Sequence, residues 1–429
     1  MKKNLMALAV AGALVAPALA FAQASSVQIY GAMDAGFQYV DAPGATGVNQ
    51  YQARTRIASN SSLIGFRGSE NLGGGLRAIW QLENQLSIDG VGGNNTQTMA
   101  NGWNTRTTFV GLTGGFGQVL VGYLNPPRRA YAVRNALVPG GTGPLAVVNY
   151  AGRINLGAAF APLNAAANTT ANTFGTTNGL ANLSSITSRT QGVSYKTPTF
   201  DGFDAEIMYT PNESAGNVAL SATQAKLDPS LWNLGLNYAR GPFNMQFSYA
   251  RLNDWTTQSL TSANLTALGI TGRERTDAWM LGGGYAFGAT TVAALFERVD
   301  VGLGQQPGLG ALNIKRDLWM LRGRHTAGPH NVVLSYTRLG DNSVDGRALA
   351  AGFTYGESGA DVYALRYGYN FSRRTEVNFV YSDTRNKKNG NYQTAGVSSM
   401  FPGGTGGGAG VINAGADPRI IGIGLRHTF

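Results

Sequence analysis

The sequence predicts an all-β protein, a 16-stranded antiparallel transmembrane β-barrel. Segments of about ten residues, in which apolar and polar side chains alternate, recur along the chain, and tilted strands of this length cross a bilayer. Charged residues make up only 13% of the 429 residues and 60 residues are glycine, whereas soluble domains carry about 25% charged residues. Beyond the first 22 residues no apolar run approaches the length of a membrane helix. A closed barrel is the remaining way to satisfy every backbone group in lipid.

The N-terminus has the composition of a secretory signal peptide. Two lysines precede an apolar run over 5–18, and small residues follow up to Ala22. We expect cleavage after Ala22, with Ala20 as the alternative. A transmembrane anchor is the other interpretation, but the run is too short to span a bilayer. The predicted domains are therefore a signal peptide over 1–22 and a barrel over 23–429.

The strands follow from the alternating pattern and from the turns between them. Short Gly or Pro turns alternate with long polar connections, as expected for hairpins joined at one rim of a barrel. An even number of strands lets the last strand close against the first. The sixteen predicted strands are 27–40, 63–70, 76–86, 105–112, 118–123, 190–197, 203–209, 231–240, 243–252, 276–287, 290–299, 316–327, 331–339, 361–371, 375–384 and 419–429.

The aromatic side chains support a membrane barrel over a soluble one. Trp80, Trp232, Trp279 and Trp319 all fall on the apolar faces of their strands, as in the interfacial girdles of membrane barrels. A β-sandwich with an aromatic core is the alternative, but it would not explain why every second hairpin connection is long. Sixteen strands enclose an aqueous channel rather than a packed core.

The final predicted strand, 419–429, is apolar on one face and polar on the other. Ile421, Ile423 and Leu425 lie on the apolar face with Phe429, and Arg426 lies on the polar face. The pattern resembles the C-terminal strand of outer-membrane β-barrels. That resemblance implies outer-membrane localisation, and it implies that Phe429 is part of the membrane insertion signal read by the barrel assembly machinery.

Several segments resemble the trimeric general porins of Gram-negative outer membranes, in their beta-proteobacterial branch. They are VQIYGAMDAGFQYV at 27–40, SSLIGFRGSENLGGGLRAIWQLENQL at 61–86, TRTTFVGLTGGFGQVLVGY at 105–123 and the terminal GLRHTF. The resemblance implies a homotrimer of separate water-filled channels. It also implies that a long third external loop, here about 124–188, folds inward to form a constriction. The alternative for its Ala-, Asn- and Thr-rich part, 164–182, is a disordered surface loop.

Charge is distributed unevenly over the predicted lumen. No acidic residue lies between Asp89 and Asp201, although that interval carries many arginines. The net charge of the whole chain is +10. We expect a pore lined by basic residues with few acids, which raises the local anion concentration. The predicted pore-lining and constriction residues are Arg67, Arg77, Arg106, Arg128, Arg129, Arg134, Arg153, Arg316, Arg322, Arg324, Arg366, Arg426, Asp34 and Glu83.

These features predict a passive diffusion channel for small hydrophilic solutes and ions, with a preference for anions. Three alternatives stay open: a weakly selective pore whose arginines are paired, a specific channel for phosphate or organic acids, and a surface adhesin or structural barrel. Small anionic or neutral solutes, outer-membrane lipid and lipopolysaccharide are the expected partners, and nucleic acid is not.

Catalysis is not expected from this chain. It holds no cysteine and three histidines, and none of the histidines is near a plausible serine and carboxylate in sequence. We therefore predict no catalytic residue, no cofactor and no metal site.

Overall fold

A computed structural model describes most of the chain. The described residues are 26–45, 51–60, 62–86, 88, 106–141, 143–151, 188–211, 230–253, 275–306, 310–346, 356–394 and 412–429. The predicted signal peptide lies outside them. None of the helices in these ranges is both long and apolar enough to span a membrane.

Antiparallel strands dominate the described structure. In chain order they are β1 (Ser26–Asp41), β2 (Arg54–Ser59), β3 (Leu63–Gly73), β4 (Leu76–Gln85), β5 (Thr108–Gly114), β6 (Gly117–Leu124), β7 (Thr190–Lys196), β8 (Phe203–Thr210), β9 (Ser230–Arg240), β10 (Phe243–Asn253), β11 (Arg275–Phe287), β12 (Thr290–Gln306), β13 (Gly310–Ala327), β14 (His330–Leu339), β15 (Ser343–Gly346), β16 (Ala360–Asn370), β17 (Thr375–Asn386) and β18 (Arg419–Thr428).

The eighteen segments form sixteen barrel strands, which confirms the predicted fold class. β2 and β3 pair with successive halves of β1, so together they make one barrel strand. β14 and β15 pair in the same way with β13. The sheet closes where β18 pairs with β1, with Arg426 opposite Asp34. Every barrel strand in the described ranges thus has a neighbour on both sides, and the described sheet has no free edge strand.

The structure extends three of the predicted strands well beyond their predicted ends. The second barrel strand begins at Arg54, whereas the sequence pattern placed its start at residue 63, because Asn60 and Ser62 interrupt the alternation. β12 continues beyond the predicted end at residue 299 to Gln306, and β13 begins at Gly310 instead of residue 316. The outer part of β12 contains Gly302 and Gly304, which made the segment look like a loop.

Side chains alternate between an exposed apolar outer face and a buried inner face. Trp319 is 58% exposed, whereas its neighbours Leu318 and Met320 are almost fully buried. Ile423 is likewise 58% exposed. This is the pattern of a barrel that presents its apolar side chains to lipid.

One connection, between β6 and β7, packs inside the barrel over its described residues 125–141 and 143–151. It contains helix α1 (Pro127–Asn135), which starts with proline at its first positions, where a missing N–H costs nothing. Beyond α1, Val147, Tyr150 and Ala151 join Tyr131 and Ala132 in one buried apolar cluster. The barrel side chains of that cluster come from the inner faces of β11, β12, β13, β14 and β16: Met280, Leu295, Leu318, Met320, Leu339, Ala360 and Val362.

Candidate functional site

A buried ionic triad holds α1 against the barrel wall. Glu297 of β12 accepts hydrogen bonds from Arg128 of α1 and from Arg316 of β13, the latter at 2.5 Å. All three side chains are 0% exposed. Arg316 also donates to the carbonyl oxygen of Tyr150 at 3.3 Å. A single carboxylate therefore pairs with two arginines, and the triad ties both ends of the described loop to adjacent strands.

Arg322 of β13 holds the middle of the loop by donating hydrogen bonds to uncharged acceptors. Its guanidinium donates to the carbonyl oxygen of Ala136, to that of Leu145 at 2.8 Å and to the Ser335 hydroxyl at 3.0 Å. The side chain is almost fully buried. We call Arg128, Arg316 and Arg322 the anchor arginines, because each of them joins the loop to the wall.

Side chains of α1 make further bonds to the wall. Arg134 donates to the amide oxygen of Asn237 on β9 at 2.6 Å, and Asn237 donates to Asp204 on β8 at 2.8 Å. Asn135 donates to Gln246 on β10 at 3.0 Å. The helix is thus attached to one side of the lumen.

A second group of arginines lies elsewhere around α1. Arg106 precedes β5, Arg129 lies on α1 and Arg189 precedes β7; we call them the arginine cluster. Glu83 of β4 lies 3.5 Å from Arg106, and Arg189 donates to the Thr107 hydroxyl at 3.1 Å.

Burial and neighbouring arginines lower the pKa of two residues in the cluster. Burial and then the charge of Arg106 lower the pKa of Arg129 to about 10. Burial, followed by the charges of Arg106 and Arg129, lowers the pKa of Arg189 to about 9. The pKa of Arg106 is also lowered, mainly by burial. The hydrogen bond from Arg189 to Thr107, the residue after Arg106, agrees with this electrostatic effect.

The wall next to the cluster carries paired charges. Arg426 of β18 donates to Asp34 of β1 at 3.0 Å, and the Tyr30 hydroxyl donates to Glu83 at 2.9 Å. Farther round the barrel, Arg366 of β16 donates to Glu376 of β17.

The other predicted residues lie nearer the turns, except Arg67, whose guanidinium is 4.9 Å from the centre of the Tyr30 ring beside Glu83. Arg67 donates to Gln28 at 2.9 Å, and Arg77 donates to Ser69 at 2.6 Å near the turn at Gly73. Arg324 is exposed, four residues before the turn at Gly328. Arg153 lies outside the described residues.

Phe429 lies at the seam between β18 and β1. Its backbone exchanges hydrogen bonds of 3.0 and 3.1 Å with Gly31.

Two functional features were missed from the sequence. Arg189 was absent from the predicted set, although it falls in the same acid-free interval and directly precedes a strand. The pairing of Glu297 with both Arg128 and Arg316 was also missed. Glu297 is 169 residues from Arg128, and no local signal joins residues so far apart.

The barrel and its internal loop can now be compared with known proteins. The family model described as Gram-negative porin matches residues 7–389, most of the chain. The chain belongs to the Gram-negative porin family. This porin is 29% identical over 311 residues to a major outer membrane protein P.IB of Neisseria gonorrhoeae, covering 71% of the chain and 73% of that relative. A second P.IB protein from Neisseria gonorrhoeae is 31% identical over 254 residues, covering 58% of the chain and 56% of that relative.

Solved structures share the fold of the porin. An anion-selective porin from Comamonas acidovorans covers 95% of this chain and 100% of its own, with a TM-score of 0.65 and 24% identity. The trimer form of OmpT from Vibrio cholerae covers the same shares, with a TM-score of 0.58 and 14% identity. Family and fold together make the protein an outer-membrane β-barrel channel, and they point away from an enzyme.

Proposed function

We propose that this porin is a passive diffusion channel that prefers anions, and that the arginine cluster produces the preference. The observation that carries the proposal is the grouping of arginines from the acid-free interval beside the internal loop. Arg129 lies on α1, Arg189 donates to the hydroxyl of Thr107 next to Arg106, and Glu83 lies 3.5 Å from Arg106. Positive charge in a low-dielectric opening raises the local concentration of anions.

The cluster remains charged under ordinary conditions. The pKa values of Arg129 and Arg189, about 10 and about 9, stay well above neutral pH. Both side chains are therefore protonated when the channel is in use. The anion selectivity stated in the name of the Comamonas acidovorans porin, whose fold this chain shares, is consistent with the proposal.

The anchor arginines contribute less to the preference in this proposal. Arg128 and Arg316 share the carboxylate of Glu297, and neither is exposed to solvent. The wall pairs Arg426–Asp34 and Arg366–Glu376 are locally neutral. A pore with only such paired charges would be weakly selective, so selectivity measurements distinguish the two possibilities.

Reversal potentials across a planar bilayer in a KCl gradient test the proposal. We expect a potential of the sign that chloride preference produces, and a double variant Arg129→Gln/Arg189→Gln that moves it toward the value of a non-selective pore. Arg77→Gln is the matched control, because Arg77 is exposed and lies far from the cluster, beside the turn at Gly73. A wild-type potential favouring potassium would reject the proposal.

We also propose the assembly and maturation of the protein. It is secreted with a signal peptide over 1–22, inserted by the barrel assembly machinery with Phe429 as part of the signal, and assembled as a homotrimer in contact with lipopolysaccharide. The family is one of oligomeric channels, which supports the trimer. A band that migrates as a trimer in an unheated gel and as a monomer after boiling is the expected result.

A further inference from the structure

The buried triad that holds α1 carries an excess of positive charge. Glu297 pairs with both Arg128 and Arg316, and none of the three side chains is exposed to solvent. Arginine keeps its proton in proteins, so two arginines and one carboxylate leave one uncompensated positive charge. A charge that is removed from water is costly in free energy unless an opposite charge or hydrogen bonds compensate it.

In the described part of the chain, no second carboxylate is left for the triad. The internal loop supplies none, because the sequence holds no acidic residue over 90–200. α1 packs against β8 to β12, where the inward acids besides that of the triad are Asp204 and Glu206. Asp204 lies 3.2 Å from the amino group of Lys196, and Glu206 stands opposite Lys196 in the β7–β8 ladder. Both acids therefore already face a cation.

Arg128 also has hydrogen-bond donors to spare. Its Nη2 bonds to Glu297, whereas its buried Nε and Nη1 have no partner among the described residues. The start of α1 adds to the positive potential here, since its first turn holds no acidic residue and its N-cap makes no side-chain bond. The N-terminal end of a helix carries a partial positive charge.

The register of the wall shows what lies beneath the Arg128 side chain. Gly235, Ser248, Met280 and Glu297 are successive cross-strand partners on β9, β10, β11 and β12, so they form one row on the inner face of the barrel. α1 begins at the first of these positions, where a Cβ on Gly235 would come within 2.5 Å of the proline side chain that starts the helix. Arg128 is the next residue, and it bonds to the last position of the row. Its side chain therefore extends along the row.

Two polar side chains of this part of the wall are unpartnered as well. Ser248 lies within the row, and Asn233 is two residues before Gly235 on the same inward face. Both are 1% exposed. Neither the Ser248 hydroxyl nor the Asn233 amide makes a hydrogen bond to any described residue. We call the space that Arg128, Asn233 and Ser248 border the recess.

The chemistry of the recess suits a small anion. Guanidinium, carboxamide and hydroxyl groups can all donate hydrogen bonds. A water molecule could accept some of those bonds, but it would leave the charge of the triad uncompensated. A monoanion of the size of chloride meets both requirements, and the closed surroundings exclude a large one.

We propose that the recess binds one chloride-sized monoanion, which neutralises the triad and helps to hold α1 against the wall. This ion is a structural counter-ion. The guanidinium that binds it is closed to solvent, so it lies outside the path of permeating ions. The proposal goes beyond anion preference and does not depend on the direction of ion selectivity.

Thermal unfolding of the full-length porin, refolded in detergent, tests the proposal. Unfolding is compared in sodium chloride and in sodium gluconate at the same concentration, because gluconate is too large for the recess. The site variant carries Asn233→Leu and Ser248→Ala, which remove donors and leave the triad intact. The matched control is Ser382→Ala on β17, whose hydroxyl is equally buried and also lacks a partner in the described structure. A heat-modifiable band on unheated gels shows that each variant has folded.

We expect wild type and the control variant to unfold roughly 2 °C higher in chloride than in gluconate. The site variant should lose most of that shift. Equal unfolding temperatures of the wild type in the two salts, or a full chloride shift in the site variant, would overturn the proposal.

Crystals soaked in sodium bromide give a second test, because bromide scatters anomalously. We expect an anomalous peak within hydrogen-bond distance of the Arg128 guanidinium. The absence of a peak there would assign the donors to water and reject the site. A peak without the chloride shift would mean binding at crystal concentration only, and would equally reject a structural ion. A reversal potential favouring potassium would reject anion preference and leave both of these results standing.

Discussion

Burial, rather than the number of arginines, separates the roles of the basic residues. Arg128 and Arg316 meet a buried carboxylate and hold the loop. Arg129, the next residue after Arg128 on α1, belongs instead to the cluster with Arg189. Adjacent helix positions point in different directions, so one helix supplies both an anchor and a charge for the proposed opening.

The lowered pKa of Arg189 predicts a pH-dependent selectivity. A cation loses its charge when the pH rises through its pKa, and that pKa is about 9. Anion preference should therefore be steady near neutral pH and decrease between about pH 8 and pH 10. Reversal potentials measured over this range check the expectation. The variant Arg189→Gln should have a smaller anion preference at neutral pH and should lose most of the decrease at high pH. If its anion preference decreased as much as that of the wild type, a group other than Arg189 would be responsible.

Replacing Glu297 by Gln should weaken the attachment of the loop. Two buried arginines would then share a neutral amide, and breaking a buried ion pair by removing one partner costs about 3–5 kcal/mol. We expect a lower unfolding temperature and a changed, noisier single-channel conductance. Asp345→Asn is the control, because that residue pairs with Lys315 on the exposed outer rim. Unchanged conductance in the Glu297 variant would show that the loop is held without the triad.

At the scale of elements, local sequence pattern predicted the strands well and the loop poorly. Successive side chains in a strand point to opposite faces of the sheet. The apolar face formed by Tyr363, Leu365 and Tyr367 can therefore be read directly from the sequence. The split of the second barrel strand near Asn60 was missed, since a polar break looks like a loop. The hydrogen bond from Arg322 to the Leu145 carbonyl oxygen joins residues that are 177 positions apart. A periodic sequence pattern cannot predict such a pair.

The short turns allow a test of backbone strain. Gly328 in the β13–β14 turn has a φ of 57°, and an added Cβ would meet no atom within 4 Å. Gly328→Ala should therefore destabilise the porin through its backbone alone, by about 1 kcal/mol. Gly323→Ala is the matched control, because that position is equally open and has no positive φ. Unfolding in urea from detergent micelles compares the two variants, and an equal loss in both would refute the explanation.

At the scale of the whole molecule, one contact depends on residues nearly four hundred positions apart. A Cβ at Gly31 would come within 2.5 Å of the Phe429 ring and 2.6 Å of the Leu63 carbonyl oxygen. The seam between β1 and β18 therefore requires glycine at position 31. The two strands of this seam are very far apart in sequence, and contacts with such a large sequence separation form slowly.

Gly31→Ala should accordingly reduce closure of the barrel. We expect less of the heat-modifiable folded form on unheated gels after refolding, and a normal yield for Gly323→Ala. Adding Phe429→Ala to the Gly31→Ala variant should not fully restore the yield of folded porin, because the clash with the Leu63 carbonyl oxygen remains. A wild-type yield of folded Gly31→Ala would show that the seam tolerates the added methyl group.

The attachment of the loop by its own set of arginines has a consequence for engineering and for evolution. Different side chains hold the loop and carry the proposed selectivity: the anchor arginines bond the loop to the wall, and the arginine cluster supplies the charge in our proposal. On that proposal, substitutions at Arg129 or Arg189 should change which ions pass while the loop stays attached. The same barrel can serve as the starting point for a family of filters that differ in charge and share one aperture.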